Sequence, residues 1–416
     1  MTENRTQTAG KPPANRRAGV GTATPRPTYL PFGQPHFGDE EIEAVARVLR
    51  SGWVGMGPET LRFEEELAAA CGAAHVVTVN SCTSALFLSL LVHGVKPGDE
   101  VVVPSFTWIS TANAARHLGA TPVFCDIDPV TLCATPDTVR ACLTPRTKAV
   151  VVVHLGGLAV NVAAIREVVP SHIAIIEDAA HAWGSRGADG TPVGASGNLS
   201  CFSFYANKNL STGDGGAVAL NHPLVAERLR SLRQHALPTD AWRRFIDAQV
   251  IGGSPVAELG YKMNYTDLQS AIGRVQLRRQ AEFARRRLAV AQIYSAMIAA
   301  LPYPVSIQEG VTREGHARHL FLIQLPLEWL GGSRHDVLGD LRRLNIGASI
   351  HYHPVHRMPL YRGARPASLP VTDHVAERIL TLPISASMSE DDARQVGLAL
   401  ARVLERRTRT GLQRQG

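Results

Sequence analysis

The sequence predicts an α/β fold, with a mostly parallel sheet between helices and a smaller C-terminal α+β domain. Seven short apolar runs recur between residues 76 and 220, and most are continuous rather than alternating. Strands covered by helices on both faces read that way. Segments with helical spacing of apolar side chains lie among them. Past residue 300 the pattern changes to shorter mixed elements bounded by proline.

Taken in order, residues 1–28 are rich in Pro, Thr, Arg and Gly and poor in large apolar side chains. Such a segment cannot bury enough surface to offset its ordering entropy, so a disordered tail is expected. Order is expected to begin near Tyr29-Leu30-Pro31-Phe32. Helices are predicted over Glu40–Arg50, Thr60–Cys71 and Thr83–His93. Strands are predicted over Val76–Val79, Val101–Val103, Val123–Asp126, Ala149–Val153, Ile173–Glu177, Cys201–Tyr205 and Ala217–Leu220. After Thr266, Leu268, Ile272 and Val275 begin a helical pattern that continues to about Ala300, where Leu-Pro-Tyr-Pro stops it. A strand at Leu320–Leu325 and helices at Arg334–Leu344 and Glu390–Leu404 complete the pattern. The expected division is a large α/β domain over 29–280 and a small α+β domain over 281–416. No internal repeat is present.

The bulk numbers narrow the class. A chain of 416 residues is long for one domain and suits two. With 45% hydrophobic and 19% charged residues it has ordinary globular composition. No apolar stretch is long enough to span a bilayer, and no apolar segment follows the basic N-terminus as in a secretory signal. The net charge of +7 comes from scattered basic residues, with short runs at Arg285-Arg286-Arg287 and Arg406-Arg407. Those runs read as solvated helix faces, so nucleic acid is not the expected partner. The charge suits an anionic small ligand equally well. The six cysteines include no C-x-x-C pair and lack a zinc or redox signature. Several lie in apolar runs as small hydrophobes, which fits a reducing cytoplasm.

Chemistry concentrates at two strand ends. Cys201-Phe-Ser-Phe-Tyr-Ala-Asn-Lys208 leads into Gly213-Asp-Gly-Gly216, and Ile173-Ala-Ile-Ile-Glu-Asp178 ends in a carboxylate. A loop lysine is ordinarily a surface charge, and a strand-end aspartate ordinarily caps a turn. Together, an amine and a carboxylate on neighbouring strand ends supply what pyridoxal 5′-phosphate requires. Lys208 would form the Schiff base and Asp178 would pair with the pyridinium nitrogen, whose protonated form it favours. His181, three residues on, either orients the ring's phenolic oxygen or is a packed histidine. Asn80-Ser-Cys-Thr83-Ser84 follows a strand and opens an apolar helix. It is an anion site for the phosphate or an ordinary Ser/Thr cap. Ser203 shares a strand face with Tyr205 and could donate to the same phosphate. Trp108 could stack on the cofactor ring or belong to the core.

Several of these segments, in this order, resemble the DegT/StrS family of sugar aminotransferases. They are Asn80-Ser-Cys-Thr-Ser-Ala-Leu, Pro104-Ser-Phe-Thr-Trp, Gly119-Ala-Thr-Pro-Val-Phe-Cys-Asp-Ile-Asp128, Glu177-Asp-Ala-Ala-His, Ser203-Phe-Tyr-Ala-Asn-Lys-Asn-Leu-Ser-Thr-Gly-Asp-Gly-Gly and Gly260-Tyr-Lys-Met-Asn-Tyr-Thr-Asp-Leu-Gln. The match runs over roughly residues 30–405 and implies a fold type I transferase dependent on pyridoxal phosphate. By resemblance, Lys208 is the lysine that carries the cofactor, Asp178 the pyridinium partner and Trp108 the stacking residue. Thr83, Ser84 and Ser203 match phosphate contacts. Asn264 matches a residue lent by the second subunit of a homodimer. Lys208 argues against the branch of the family that carries histidine there. Asn207 replaces a common Thr or Ser, and Met263-Asn-Tyr varies the usual order. The implied reaction moves an amino group from L-glutamate to a keto sugar, in particular a nucleotide-linked 4-keto sugar. The alternatives are a keto-cyclitol or aminobenzoate-type aminotransferase, and a regulator that binds the cofactor or DNA without catalysis. Ile350-His351-Tyr-His353-Pro-Val-His356 is expected to supply substrate contacts through His351 and His353. Its histidine spacing also suits a metal, but no metal is expected.

Overall fold

The structure, a computed structural model, describes residues 25–237, 256–363 and 369–412. The helices are α1 Asp39–Ser51, α2 Pro58–Cys71, α3 Cys82–Val92, α4 Ser110–His117, α5 Pro136–Arg140, α6 Val162–Val168, α7 Pro223–Leu232, α8 Asp267–Arg278, α9 Gln280–Ala299, α10 Arg334–Arg343, α11 Pro370–Arg378 and α12 Glu390–Leu412. The strands are β1 His75–Val79, β2 Glu100–Pro104, β3 Thr121–Cys125, β4 Thr147–Val153, β5 Ala174–Asp178, β6 Leu199–Ser203, β7 Gly216–Leu220, β8 Ser306–Ile307, β9 Phe321–Gln324 and β10 Ile379–Leu382.

All seven predicted strands join one sheet, in the order β1-β7-β6-β5-β4-β2-β3. Every neighbouring pair is parallel except those made by β7, which runs antiparallel to both β1 and β6. The reason lies in the connection. Parallel neighbours need a crossover, usually through a helix, whereas β6 returns to β7 through the loop 204–215, which holds no helix. That loop carries Lys208.

The continuous apolar runs are explained by burial on both faces. Val101, Val103, Ala149 and Val151 pack into a cluster with Ala85, Leu88 and Leu90 of α3. Their sequence neighbours Val102, Val150 and Val152 point the other way, among Val139 of α5 and Ile165 of α6. Side chains alternate faces along a strand, so a sheet covered twice needs apolar residues at every position.

The chain ends of the helices follow local chemistry. Asp39, Glu40 and Glu41 fill the first turn of α1, and Gly52 closes it in the left-handed conformation with φ 75°. Pro58 opens α2, where its missing N–H costs nothing. The single long helix expected after Thr266 is two helices, α8 and α9, parted at Arg279, which caps the one and precedes the other. The apolar periodicity runs across this joint, which is why the pattern reads as continuous.

A second, antiparallel sheet of order β10-β9-β8 lies in the C-terminal part. Its cluster joins Phe321, Ile323, Leu380 and Leu382 to Val290 and Tyr294 of α9 and to Val396 and Leu400 of α12. Strand β10 and helix α11 were not legible beforehand. Most of the expected tail, residues 1–24, lies outside the described residues. Within 25–28, Arg26 is held by Asp392 at 2.6 Å and Gln395 at 2.5 Å.

Candidate active site

The carboxyl ends of β5 and β6, with the loop after β6 and the start of α3, surround a cleft of about 520 Å³. In open α/β sheets, ligands bind beyond the carboxyl ends of the strands. Asp178 is the last residue of β5 and Ser203 the last of β6. Lys208 follows a turn closed by its own N–H on Tyr205 O at 2.9 Å. The loop is then pinned from outside. Asn209 Nδ2 donates to Ala317 O at 2.6 Å, and Gln280 Nε2 donates to Asn209 O at 3.0 Å.

Asp178 is buried and held on both oxygens. Thr111 Oγ1 donates to Oδ2 at 2.7 Å and the Ala180 N–H to Oδ1 at 3.2 Å. Thr107 Oγ1 lies 2.9 Å from Thr111 Oγ1 and extends the chain of hydroxyls. Burial pushes the Asp178 carboxyl above its usual range, and the Thr111 and Ala180 hydrogen bonds and the Lys208 charge oppose it. Burial takes the Lys208 amine down to about 8, with Cys82 and Asp178 working the other way. An amine so placed is available in its neutral form near physiological pH.

Helix α3 turns its N-terminus to the cleft. Ser81 caps it by accepting the Ser84 N–H at 3.1 Å. The N–H groups of Cys82 and Thr83, at the first helical positions, have no partner within the helix. Thr83 lines the cleft, while Ser84 turns inward and donates its hydroxyl to Asn80 Oδ1 at 2.6 Å. Trp108 lines the mouth and is 59% exposed.

His181 lies buried on the cleft wall. Its Nδ1 accepts the Gly156 N–H at 3.3 Å, so its proton sits on Nε2 and points to Tyr352 Oη at 2.9 Å. Burial first, then the charges of Lys208 and His351, hold this imidazole well below its ordinary range. His351 also lines the cleft, with Nδ1 2.9 Å from Thr381 Oγ1. His319 stands behind Lys208, its Nε2 3.3 Å from Nζ.

The structure thus brings together Lys208, Asp178, Thr83, Trp108, His181, Ser203 and His351 in one cleft. It does not bring in His353. That residue is exposed, in the field of Arg334, His335, Glu377 and Arg357. His351 and Tyr352 both line the cleft, and the chain carries the next side chain, His353, out to solvent. Asn264 donates to Tyr265 O at 3.0 Å and is not among the residues lining the cleft. Tyr352 lines the cleft, while Thr111 and His319 stand behind it against Asp178 and Lys208; none of the three is marked by the sequence pattern. Tyr352 sits within a motif that was read for its histidines. Among the described residues, no group of three or more His, Cys, Asp or Glu is placed to hold a metal ion. No helix among them is long and apolar enough to cross a membrane.

The donor set fits pyridoxal phosphate. A buried amine and a buried carboxylate face the same cavity, a helix N-terminus with hydroxyls lies at one end, and an exposed indole lies at the mouth. Fold and cleft together define an aminotransferase dependent on that cofactor. The chain belongs to the DegT/DnrJ/EryC1/StrS aminotransferase family, whose model matches residues 35–401. It is 41% identical over 377 residues to the spore coat polysaccharide biosynthesis protein SpsC of Bacillus subtilis, covering 88% of this chain and 95% of that one. Among solved structures it resembles the aminotransferase TlmJ of Streptoalloteichus hindustanus, at 34% identity and a TM-score of 0.82, covering 91% of this chain and 99% of the other. It also resembles DesV of S. venezuelae, solved with a ketimine intermediate, at 34% identity and a TM-score of 0.80, covering 90% and 99% of the two chains.

Proposed function

We propose that this aminotransferase moves an amino group from L-glutamate to a keto sugar, with nucleotide-linked 4-keto sugars as the acceptor class. The observation that carries the reading is the placement of Lys208 and Asp178 in one cleft, inside a family of sugar aminotransferases. The role of SpsC in polysaccharide biosynthesis supports a sugar acceptor.

Lys208 would hold the cofactor, and Asp178 would pair with its ring nitrogen and favour the protonated form. Pyridoxal phosphate, when bound, supplies the electron sink that lets an amino donor lose its α-proton. The chain's residues do the rest. Thr83, Ser203 and the first N–H groups of α3 would hold the phosphate, and Ser84 keeps the cap in place. Trp108 would cover one face of the ring, and His181 lies against the site with its proton committed to Tyr352. Lys208, once free, would take up the donor's α-proton and deliver it to the cofactor's C4′ carbon, and would carry a proton the opposite way when the acceptor enters. His351 contacts substrate. Two copies form a homodimer in which Asn264 serves the partner's phosphate site. The protein acts in the cytoplasm, and the chain divides near residue 280.

The test is direct. Lys208→Ala should lose both the visible absorbance of the bound cofactor and turnover, and a variant working at the wild-type rate refutes the assignment. The acceptor is tested by loading the protein with amino groups from glutamate and offering nucleotide keto sugars beside keto-cyclitols. Faster consumption of the cyclitols would move the protein to the alternative reading.

A further inference from the structure

Lys208 has a neighbour that the roles above leave unused. His319 is 3% exposed and fixed in place: its backbone N–H donates to Gly156 O at 2.9 Å, and its ring lies on that of His181 at 4.5 Å. Its Nε2 is 3.3 Å from Lys208 Nζ. Its Nδ1 is buried and has no hydrogen-bond partner.

The unpartnered nitrogen decides the tautomer. A proton on Nδ1 would be a buried donor with no acceptor, and orphaned buried N–H groups are rarer than under-used acceptors. The proton therefore belongs on Nε2, facing the amine. A neutral amine has a lone pair to accept it, whereas an ammonium has only further N–H groups to oppose it.

We propose that His319 is a positioning residue, which docks the ε-amine of Lys208 by donating its Nε2–H to the lone pair whenever that amine is free of the cofactor. The proposal rests on Lys208 being the cofactor lysine. Its consequence is a one-sided dock. The base form of Lys208 is held at the cleft wall, and on taking up a proton the resulting ammonium loses its attraction to His319 and turns back to the cleft. The surrounding charges agree. Burial, then Lys208, His181, Arg287 and His351, keep His319 well below the imidazole range, so it holds a single proton. The groups acting on Lys208 itself are Cys82 and Asp178, and burial outweighs both.

The experiment follows the free amine rather than turnover. Apoprotein is mixed with pyridoxal phosphate across a pH series, and the rate at which visible absorbance appears is recorded. Only the neutral amine attacks, so the rate should climb through an inflection at about pH 8 to a plateau. In His319→Leu the donor that favours the neutral form is gone. The inflection should move up, and the rate at about pH 7 should fall about tenfold. His319→Gln, whose amide can donate, should recover most of the loss. An inflection that stays or moves down in His319→Leu overturns the proposal. Neutron diffraction from unsubstituted apoprotein gives a reading that does not depend on how the variants fold: density for the proton on Nε2 is expected, and density on Nδ1 overturns the dock. A Lys208→Ala protein that still gains the absorbance sinks the assignment of Lys208 instead, a failure distinct from a misplaced proton.

Discussion

His154 and Glu177 are buried against each other, Nε2 to Oε2 at 3.0 Å with both side chains 1% exposed, on the face of the sheet opposite Asp178. The Val160 N–H donates to His154 Nδ1 at 2.9 Å, so the ring's proton goes to the carboxylate. Ser196 and Asn198 donate to the other oxygen of Glu177. Glu177 precedes Asp178 in β5, so this network anchors the strand end that presents Asp178. Glu177→Ala strips the acceptor from the buried His154, the half-buried Asn198 and the exposed Ser196, and should cost about 2 kcal/mol, read as a lower midpoint in urea. Glu177→Gln keeps one acceptor oxygen and should cost less.

The same carboxylate predicts an acid limit to stability. Burial opposes its charge, but the hydrogen bonds of His154, Ser196 and Asn198 hold it below its ordinary 4.5. A carboxyl lowered on folding contributes stability above its unfolded pKa, and that contribution is lost as pH falls through the folded value. Melting temperature should therefore drop below about pH 4.5 in the natural protein. In Glu177→Gln the drop should be shallower. Equal slopes would show that Glu177 is not the group titrating.

Thr111 makes a sharper claim on activity than on stability. Its hydroxyl donates to Asp178 Oδ2 at 2.7 Å and favours the charged carboxylate against the cost of burial. Thr111→Val keeps the shape and removes the donor. Asp178 should then protonate at higher pH, so the acid limb of the kcat profile should move up and kcat at neutral pH should fall about tenfold or more. Thr111→Ser should behave nearly as the natural protein.

What the sequence could and could not disclose follows from how each residue is placed. Asp178 was legible because it ends an apolar run, and Lys208 because it follows one and leads into a glycine-rich stretch, so both sit beyond strand ends of a doubly covered sheet. Thr111 was not. It lies in α4, whose Ser-Thr-Ala-Asn-Ala-Ala-Arg-His carries no large apolar side chain to mark a helical stripe. His319 was not, because what defines it is a contact with a residue 111 positions away. The seven strands were recognisable individually, yet the reversal of β7 depended on a connection without a helix. His353 was expected beside His351, but adjacent residues His351 and Tyr352 fill that part of the cleft and His353 is exposed, a placement the histidine spacing does not disclose.

Gly216 marks where the sheet meets the N-terminus of α3. A Cβ there would lie 2.6 Å from Cys82 N and 2.7 Å from Ser81 O, both backbone atoms that cannot move without shifting the start of α3. Gly216→Ala should weaken pyridoxal phosphate binding by more than about tenfold in an absorbance titration, because the N–H groups of α3 would be displaced from their common aim. Far-ultraviolet circular dichroism should remain close to that of the natural protein. Unchanged affinity would show that this end of the cleft does not hold the phosphate.

Asp267 performs a capping role across a long separation in the chain. Its side chain, on the first residue of α8, accepts the N–H groups of Gly57 at 2.8 Å, Glu59 at 3.2 Å and Thr60 at 3.0 Å, and the Thr60 hydroxyl at 2.7 Å. Gly57 has no side chain to cap α2, so the cap comes from another helix instead. The residue is 2% exposed, and water cannot easily replace it. Asp267→Ala leaves several buried donors without an acceptor and should destabilise the protein by about 2–3 kcal/mol, above the usual loss of about 1 kcal/mol for a surface cap. Asp267→Asn keeps one acceptor and should recover about half. Because α2 and α8 pack together beneath Phe63 and Tyr265, the loss should appear in global unfolding by urea rather than as local fraying seen only by hydrogen exchange in α2.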